Sequence, residues 1–157
     1  MSELVIGDPA PAFELPATGG KTISSRDMVG RNYVLYFYPR DNTPGCTAEG
    51  QEFASHYDSF KRADTEILGV SRDSVTAHER FKEKYGFPFD LLADTDETVC
   101  RRYKVIREKN MYGRKVMGIE RSTFIIDSDG TLREVWRKVR VSGHVDEVLS
   151  YVQTLFL

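Results

Sequence analysis

The sequence predicts an α/β fold with a mixed central β-sheet flanked by helices on both faces. Two observations lead to this prediction. In the first two thirds of the chain, apolar strand-like runs alternate with helical segments, an order that implies βαβ units and parallel pairing. A β-hairpin and a closing helix follow, and the hairpin adds antiparallel strands to a sheet that starts parallel.

The first βαβ unit begins at Tyr33–Tyr38, a continuous aromatic and β-branched run that is typical of a buried strand. Thr47–Lys61 follows as a helix, because its aromatic residues recur on one stripe. Glu66–Val70 is a second short apolar run and is predicted to be the next buried strand. Two strands joined through a helix pair in parallel, so these segments start the sheet.

The middle of the chain continues this alternation. Val75–Tyr85 is predicted to be a helix, since Ser74 suits its N-cap and Gly86 ends it. Phe89–Leu92 is a short strand, and Asp96–Tyr103 is a short helix with acidic residues in its first turn. Three strands and three helices therefore precede the hairpin.

The last third of the chain carries the clearest hairpin. Its strands, Thr123–Ile126 and Leu132–Trp136, flank the turn Asp127–Gly130. His144–Leu155 follows as an amphipathic closing helix. Before the hairpin, Asn110–Gly118 contains two glycines and is interpreted as a loop close to the functional site.

Length, charge and hydropathy limit the classes of protein. The chain has 157 residues, 40% of them hydrophobic, and no linker or repeat divides it, so we expect one domain over residues 1–157. A net charge of −2 gives no electrostatic reason to expect nucleic acid or an anionic membrane as a partner. No apolar run is long enough to span a bilayer, and the sequence starts without a signal-peptide pattern. Two cysteines do not make a disulfide scaffold, which favours a reducing, cytoplasmic location.

Cys46 is the main candidate for chemistry, because of what precedes it. Pro39 ends the first strand, Thr43 is a suitable N-cap, and Pro44 fits the first helical position. Cys46 then falls in the first turn of a helix, where free N–H groups and the positive end of the dipole favour a thiolate. The Thr43 hydroxyl is close enough in sequence to donate to the sulfur or to an oxygen that the sulfur attacks.

A reactive thiolate also needs a fixed cation, and Arg121 is the best candidate. It directly precedes the strand Thr123–Ile126, which we expect beside Tyr33–Tyr38. Glu49, one turn after Cys46, is expected to orient this arginine through a bidentate pair. The alternative is that Cys46 is a small hydrophobic core residue, as most lone cysteines are. Its neighbours are polar or small, which favours the reactive interpretation.

The three histidines are predicted to be isolated surface residues. A Cys–His nucleophile pair would need one of them beside Cys46. His56 is nearly three helical turns along the chain, and neither His78 nor His144 is close in sequence. No spacing of histidine, cysteine and acidic residues indicates a metal site.

The motif Pro39-x-x-x-Thr43-x-x-Cys46 resembles the active-site signature of peroxiredoxins. The longer run Tyr36–Glu49 is similar to the subgroup called bacterioferritin comigratory protein or peroxiredoxin Q. Further segments resemble the opening, the middle strand and the arginine-bearing strand of that family: Gly7–Phe13, Phe87–Asp94 and Arg121–Asp127.

This resemblance implies a thioredoxin-like fold and thiol-dependent peroxidase activity on hydrogen peroxide and organic hydroperoxides, with no cofactor. Cys46 is implied to be the peroxidatic cysteine, whose thiolate attacks the terminal peroxide oxygen and becomes a sulfenic acid. Thr43 and Arg121 would hold the peroxide oxygens and stabilise the charge that shifts as the O–O bond breaks. Pro39 would shield the sulfur from water.

The chain departs from the family at the resolving cysteine. Many members of the subgroup carry it five residues after the peroxidatic one, where this chain has Gln51. Others carry it in the next helix, at a position that aligns with Lys82. We therefore expect a one-cysteine mechanism, in which an outside thiol reduces the sulfenic acid through a mixed disulfide. Thioredoxin, or glutaredoxin with glutathione, are the expected donors.

Two alternatives remain open at this point. A two-cysteine mechanism would join Cys46 to Cys100, which requires their Cα atoms to approach within about 7 Å. A non-catalytic thioredoxin-like binding module would have lost turnover together with its resolving cysteine. A dithiol oxidoreductase is disfavoured, because the chain has no Cys-x-x-Cys pair. We expect a monomer, with at most weak dimerisation.

Overall fold

The computed structural model describes residues 3–157. In chain order the elements are β1 (Glu14–Ala17), β2 (Lys21–Ser24), β3 (Asn32–Phe37), α1 (Pro44–Ser55), α2 (Tyr57–Arg62), β4 (Thr65–Ser71), α3 (Val75–Tyr85), β5 (Asp90–Ala93), α4 (Thr98–Arg102), β6 (Ile106–Met111), β7 (Arg114–Ile119), β8 (Ser122–Ile126), β9 (Leu132–Trp136) and α5 (His144–Phe156).

Seven of the strands form one mixed sheet in the order β2-β1-β5-β4-β3-β8-β9. The strands β3, β4 and β5 run parallel, as crossover connections through helices require. The strand β8 pairs antiparallel with β3 on one side and with β9 on the other. The predicted mixed α/β sheet is therefore confirmed, and the pairing of β8 with β3 sets the functional site.

The central strand β3 is buried on both faces, which explains its continuous apolar sequence. Alternate side chains enter two separate core clusters, Leu35 and Phe37 on one face and Val34 and Tyr36 on the other. One cluster includes residues of α4, and the second includes residues of α1, α2, α3 and α5. Helices thus cover both faces of the sheet, as the sequence predicts.

The helix predicted at Thr47–Lys61 is two helices. The first begins three residues earlier, at Pro44, and ends at Ser55. His56 leaves helical geometry with φ −104° and ψ 8°, and α2 starts directly after it. The break lets Phe53 and Phe60, whose ring centroids lie 5.9 Å apart, enter the same core cluster.

The loop predicted at Asn110–Gly118 is wrong, because β6 and β7 form a hairpin there. Tyr112 and Gly113 are its two turn residues, and both have positive φ (54° and 80°), as a tight primed turn requires. The sequence pattern does not indicate this hairpin, because its strands bury few residues and therefore lack the apolar alternation that marks a half-buried strand.

Within residues 3–157, no helix is long and apolar enough to cross a membrane.

Candidate active site

Cys46 is the third residue of α1, at the end of the connection that leaves β3. Pro44 occupies the first helical position, and Thr43 has the extended backbone of an N-cap, with φ −93° and ψ 157°. The side chain of Cys46 is 2% exposed. The predicted position of the cysteine in the first helical turn is therefore observed.

The Thr43 hydroxyl does not cap the helix. It donates to the carbonyl oxygen of Arg40 at 2.9 Å and thus fixes the loop before α1. No hydrogen bond joins it to the sulfur of Cys46 among the described residues. The N–H groups of the first turn are consequently left without a side-chain acceptor from the cap.

Arg121 approaches the cysteine from β8. Because Ser122 pairs with Phe37 at the end of β3, the residue before Ser122 lies beside the start of α1. The Nη2 of Arg121 donates to the Sγ of Cys46 at 3.5 Å. A guanidinium cation at this distance stabilises negative charge on the sulfur.

Glu49 holds the arginine from the next turn of α1. Its Oε1 accepts from Nη1 of Arg121 at 2.6 Å, while Oε2 has no partner among the described residues, so the expected bidentate pair is a single contact. Burial raises the pKa of Glu49 to about 7, although Arg121 acts in the opposite direction. The pair fixes the guanidinium beside Cys46.

Gly45 gives the guanidinium room to reach the sulfur. A Cβ at this position would lie 3.1 Å from Nη2 of Arg121, closer than ordinary packing allows. The glycine before the cysteine therefore has a structural reason that is independent of turn formation.

Pro39 directly follows Tyr38. The backbone N–H of Tyr38 donates to the carbonyl oxygen of Val70, and this is the last hydrogen bond to the sheet in the segment that continues β3. Pro39 is half-buried and has no N–H of its own, so the ladder ends there. The chain then turns through the loop to Thr43. The structure thus brings Thr43, Cys46, Glu49 and Arg121 together around one helix start, with Pro39 at the entrance to that loop.

The prediction of a surface location for His78 is wrong. This histidine is fully buried in α3, with Nε2 2.9 Å from the carbonyl of Leu92 and Nδ1 2.7 Å from Oδ2 of Asp41. A carbonyl only accepts, so Nε2 carries a hydrogen and donates it to Leu92, while Nδ1 faces the carboxylate. Tyr38 donates to the other oxygen of Asp41 at 2.6 Å. This group, the Asp41–His78 latch, ties the loop before Cys46 to α3.

His144 is also buried, at 4% exposure, whereas His56 lies at the surface beside Asp146. Nε2 of His144 lies 2.8 Å from the hydroxyl of Thr123 on β8. Burial lowers the pKa of His144 to about 4. Sequence spacing missed both buried histidines, because their partners come from distant strands and loops.

One group of three potential metal ligands occurs within residues 3–157, formed by Asp41, Asp73 and His78, whose ligand atoms all lie within 4.8 Å of one another. These atoms already form hydrogen bonds with one another and with neighbouring groups. Asp41 bonds to His78, and Asp73 accepts from Ser71 and from the backbone N–H of Asp41. The arrangement is that of a closed hydrogen-bond network.

Cys100 lies in α4 and is fully buried. It packs in the core cluster with Leu35 and Phe37, whereas Cys46 packs in the cluster with Val34 and Tyr36. The central sheet therefore separates the two thiols. Burial and the nearby carboxylate of Asp94 raise the pKa of the Cys100 thiol, which keeps it protonated.

Comparison with known proteins gives consistent matches. The model of the AhpC/TSA family matches residues 6–135. Peroxiredoxin Bcp of Xanthomonas campestris is 49% identical over 152 residues, which cover 96% of this chain and 95% of that protein. Peroxiredoxin Bcp of Bacillus subtilis is 45% identical over 150 residues, 96% of each chain.

Solved structures agree with these matches. Peroxiredoxin Q of Xanthomonas campestris is similar with a TM-score of 0.88 and 48% identity, and the match covers 92% of each chain. A cysteine-to-serine mutant of Xylella fastidiosa PrxQ is similar with a TM-score of 0.92 and 42% identity over 98% of each chain. Two structures of the Xanthomonas protein are cysteine-to-serine mutants at positions 36 residues apart. In this chain, the residue at that distance after Cys46 is Lys82.

Proposed function

Since the chain belongs to the AhpC/TSA family, as a Bcp-type peroxiredoxin and hence a thiol-dependent peroxidase, we propose that Cys46 is the cysteine that attacks the peroxide. The observation that carries this assignment is the contact of 3.5 Å between Nη2 of Arg121 and Sγ of Cys46 at the start of α1. The contact places a partly buried cation beside a sulfur in a helical first turn. Both stabilise negative charge on a reacting sulfur, and the nucleophile in this chemistry is the thiolate.

The first step transfers one oxygen atom. The thiolate of Cys46 attacks the terminal oxygen of the peroxide, the O–O bond breaks, and the sulfur becomes a sulfenic acid. The leaving group departs as alkoxide or hydroxide and takes up a proton. Arg121 is the fixed donor for the oxygen that gains charge, and Glu49 holds its guanidinium in place.

Thr43 and Pro39 complete the proposed site. The Thr43 hydroxyl, now bonded to the carbonyl of Arg40, can rotate to donate to a bound peroxide oxygen. Pro39 is half-buried at the start of the same loop, where it limits the access of water to the sulfur.

The return to the thiol is proposed to be a one-cysteine step. Cys100 lies across the sheet from Cys46, and Gln51 and Lys82 stand where relatives of the subgroup are expected to carry a resolving cysteine. An outside thiol therefore attacks the sulfenic acid and forms a mixed disulfide, which a second thiol reduces. Thioredoxin, or glutaredoxin with glutathione, are the proposed donors.

The proposal also covers substrate, assembly and location. One structure of the Xanthomonas campestris protein is described in relation to alkyl peroxide reduction, and we propose both hydrogen peroxide and organic hydroperoxides for this chain. The other proposals are a single domain over residues 1–157, a monomer with at most weak dimerisation, and a cytoplasmic location.

The test compares the wild-type protein with Cys46→Ser and Cys100→Ser after one equivalent of hydrogen peroxide, by intact mass with and without a sulfenic-acid trap. We expect wild type and Cys100→Ser to gain one trappable oxygen and to consume peroxide with a small thiol donor. Cys46→Ser should do neither. Turnover of Cys46→Ser near the wild-type rate would refute the assignment of the nucleophile.

The same experiment decides between the two mechanisms. A loss of two hydrogens from wild type, with no trapping, would mean a Cys46–Cys100 disulfide and would overturn the one-cysteine step. A wild-type protein that shows no change of mass would support the non-catalytic binding module instead.

A further inference from the structure

A cleft of about 250 Å³ lies between the loop before Cys46 and α3. Three cationic side chains line it, Arg40 from the loop and Arg80 and Lys84 from successive turns of the helix. The cleft shares its loop with the active site, because the carbonyl of Arg40 accepts the hydrogen bond of Thr43. A molecule held there would lie next to the start of α1.

The cations of this cleft are free to bind a ligand. Neither Arg40 nor Arg80 forms a side-chain hydrogen bond or ion pair within the part of the chain that the structure describes. Among the described residues, Lys84 donates only to a neutral amide oxygen, Oδ1 of Asn42, at 3.2 Å, and its ammonium lies 5.3 Å from the ring centroid of its neighbour Tyr85.

The two carboxylates that also line the cleft are occupied. Asp41 is held by the latch to His78 and by Tyr38, and Asp73 accepts from Ser71 and from the backbone of Asp41. Each therefore has its own donors, and neither forms an ion pair with a cation of the cleft. Three cations against two carboxylates leave the lining net positive, and the two carboxylates are engaged in their own hydrogen bonds, so the site suits an anion.

We propose that this cleft binds the carboxylates of a small thiol reductant and delivers its sulfur to the sulfenic acid of Cys46. The inference rests on the proposed one-cysteine function. It also rests on the place of the cleft: α3 is the helix that contains position 82, where the spacing of the mutated cysteines in the Xanthomonas campestris protein would place a second cysteine. In this chain Lys82 pairs with Asp90 at 2.9 Å, and the same helix presents cations to the loop instead of a thiol.

The distances suit a thiol of tripeptide size. Asn42 precedes Cys46 by four residues, so the two Cα atoms are at most about 14 Å apart even if the chain were extended. A tripeptide spans about 10 Å. The segment between the cleft and the first turn of α1 is therefore of the same length scale as a small peptide thiol, as delivery of a sulfur from the cleft requires.

Binding would also loosen the loop. A carboxylate is a stronger partner for the ammonium of Lys84 than the amide oxygen of Asn42, because both ligand and side chain are charged. When Lys84 binds a carboxylate of the reductant, it gives up its hydrogen bond to Asn42. Of the two side-chain contacts between Asn42 and α3, only the bond of 3.1 Å from Tyr85 then remains. While the reductant is bound, Asn42 is then tied to α3 by one side-chain contact fewer.

The chemistry balances with two thiols. The first thiol attacks the sulfur of the Cys46 sulfenic acid, an S–S bond forms, and water leaves with the sulfenic oxygen. The second thiol attacks the mixed disulfide, which returns the Cys46 thiol and releases the disulfide of the reductant. The two thiols together supply the two electrons.

The experiment measures the reduction step alone. Protein oxidised with one equivalent of hydrogen peroxide is mixed with glutathione, which carries two carboxylates, or with 2-mercaptoethanol, which carries none. The cleft variant is R80Q/K84Q, and the control R26Q/R62Q removes two exposed positive charges elsewhere. We expect the ratio of the rate constants for glutathione and 2-mercaptoethanol to fall about fivefold in R80Q/K84Q and to stay within twofold in the control. In wild type, added salt should lower the glutathione rate and leave the 2-mercaptoethanol rate unchanged.

The ratio in R80Q/K84Q would stay unchanged if both rate constants kept their wild-type values or if both fell equally, and either result would overturn the cleft assignment while leaving the peroxidase intact. Each would be seen with a wild-type sulfenic acid that is trapped normally. Failure of the wild-type protein to form a trappable sulfenic acid would instead refute the proposed function, and the inference with it.

Discussion

At the scale of single residues, the proposed site is organised by one guanidinium with two partners. Arg121 donates one N–H to the sulfur of Cys46 and another to the carboxylate of Glu49. The planar fork of an arginine serves both acceptors at once, and a lysine at the same position is a point charge that cannot reproduce this geometry. Gly45 keeps the space that the fork needs.

Replacement of Arg121 by lysine should therefore slow the oxidation of Cys46 while keeping the charge. We expect the second-order rate constant for sulfenic-acid formation with hydrogen peroxide to fall at least about tenfold, as loss of one charge-assisted hydrogen bond implies. Stopped-flow measurement at pH 7 reads this step directly. Arg137→Lys is the matched control, because within residues 3–157 the hydrogen bonds of Arg137 go to the carbonyls of Tyr103 and Lys104 and its guanidinium lies over the ring of Phe124, so this variant should keep the wild-type rate. Equal rates for the two variants would contradict a role for the guanidinium.

At the scale of elements, the loop between β3 and α1 is held from outside by α3. The Asp41–His78 latch is buried, and both ring nitrogens of His78 have a partner, one in the loop and one on β5. Asn42, next in the chain, accepts from two side chains of the same helix. The conformation of the loop that precedes Cys46 is thus a tertiary property and does not come from the loop sequence alone.

Loss of the latch should cost much more stability than loss of a surface histidine contact. His78→Gln leaves the carboxylate of Asp41 buried without its partner, and we expect the free energy of unfolding to fall by about 3 kcal/mol. His56→Gln removes a contact with the exposed Asp146 and should cost less than about 1 kcal/mol. Urea denaturation of both variants at pH 7 measures the difference. Similar losses in the two variants would show that the latch adds no stability.

Sequence patterns predicted the helices and strands whose ends are determined by residues within or directly beside them. The helix Val75–Tyr85 is observed with the predicted bounds, since the Ser74 cap and the glycine after Tyr85 act locally. The break at His56 and the β6–β7 hairpin were missed, because the first follows from packing of Phe53 and Phe60 and the second buries few side chains.

In the site too, features that depend on adjacent residues could be predicted, and features that depend on distant contacts could not. The placement of Cys46 in a first helical turn could be predicted, because the cap and the proline precede it directly in sequence. The neighbourhood of Arg121 could be predicted only through the assumed pairing of β8 with β3. The burial of His78 and of Glu49 could not, since each depends on contacts between residues far apart in the chain.

At the scale of the whole molecule, two buried groups give opposite pH dependences of stability. Glu49 has a pKa of about 7 in the folded protein, against 4.5 as its ordinary value, so between these values the folded protein keeps a proton that the unfolded chain releases. Its contribution therefore falls as the pH rises from 4.5 to 7. His144 has a pKa of about 4 instead of 6.5, so its contribution rises over nearly the same range.

Replacement of either group should leave the pH dependence of the free energy of unfolding that the other group causes. Glu49→Gln should make the free energy of unfolding rise with pH between about 4.5 and 6.5 more steeply than in wild type, by up to about 1.4 kcal/mol per pH unit. His144→Gln should make it fall more steeply over the same range. Chemical denaturation at half-unit pH intervals measures both. Curves parallel to that of wild type would contradict the two shifted pKa values.

In the proposed one-cysteine mechanism, the position of the sheet between Cys46 and Cys100 also determines how long an oxidised molecule stays recoverable. A sulfenic acid that meets no thiol of its own chain waits for a collision, either with a reductant or with another peroxide molecule. The second collision gives a sulfinic acid, which thiols do not reverse. The fraction of protein that stays active then reports how often the sulfenic acid has reacted with a second peroxide before it reacted with a thiol.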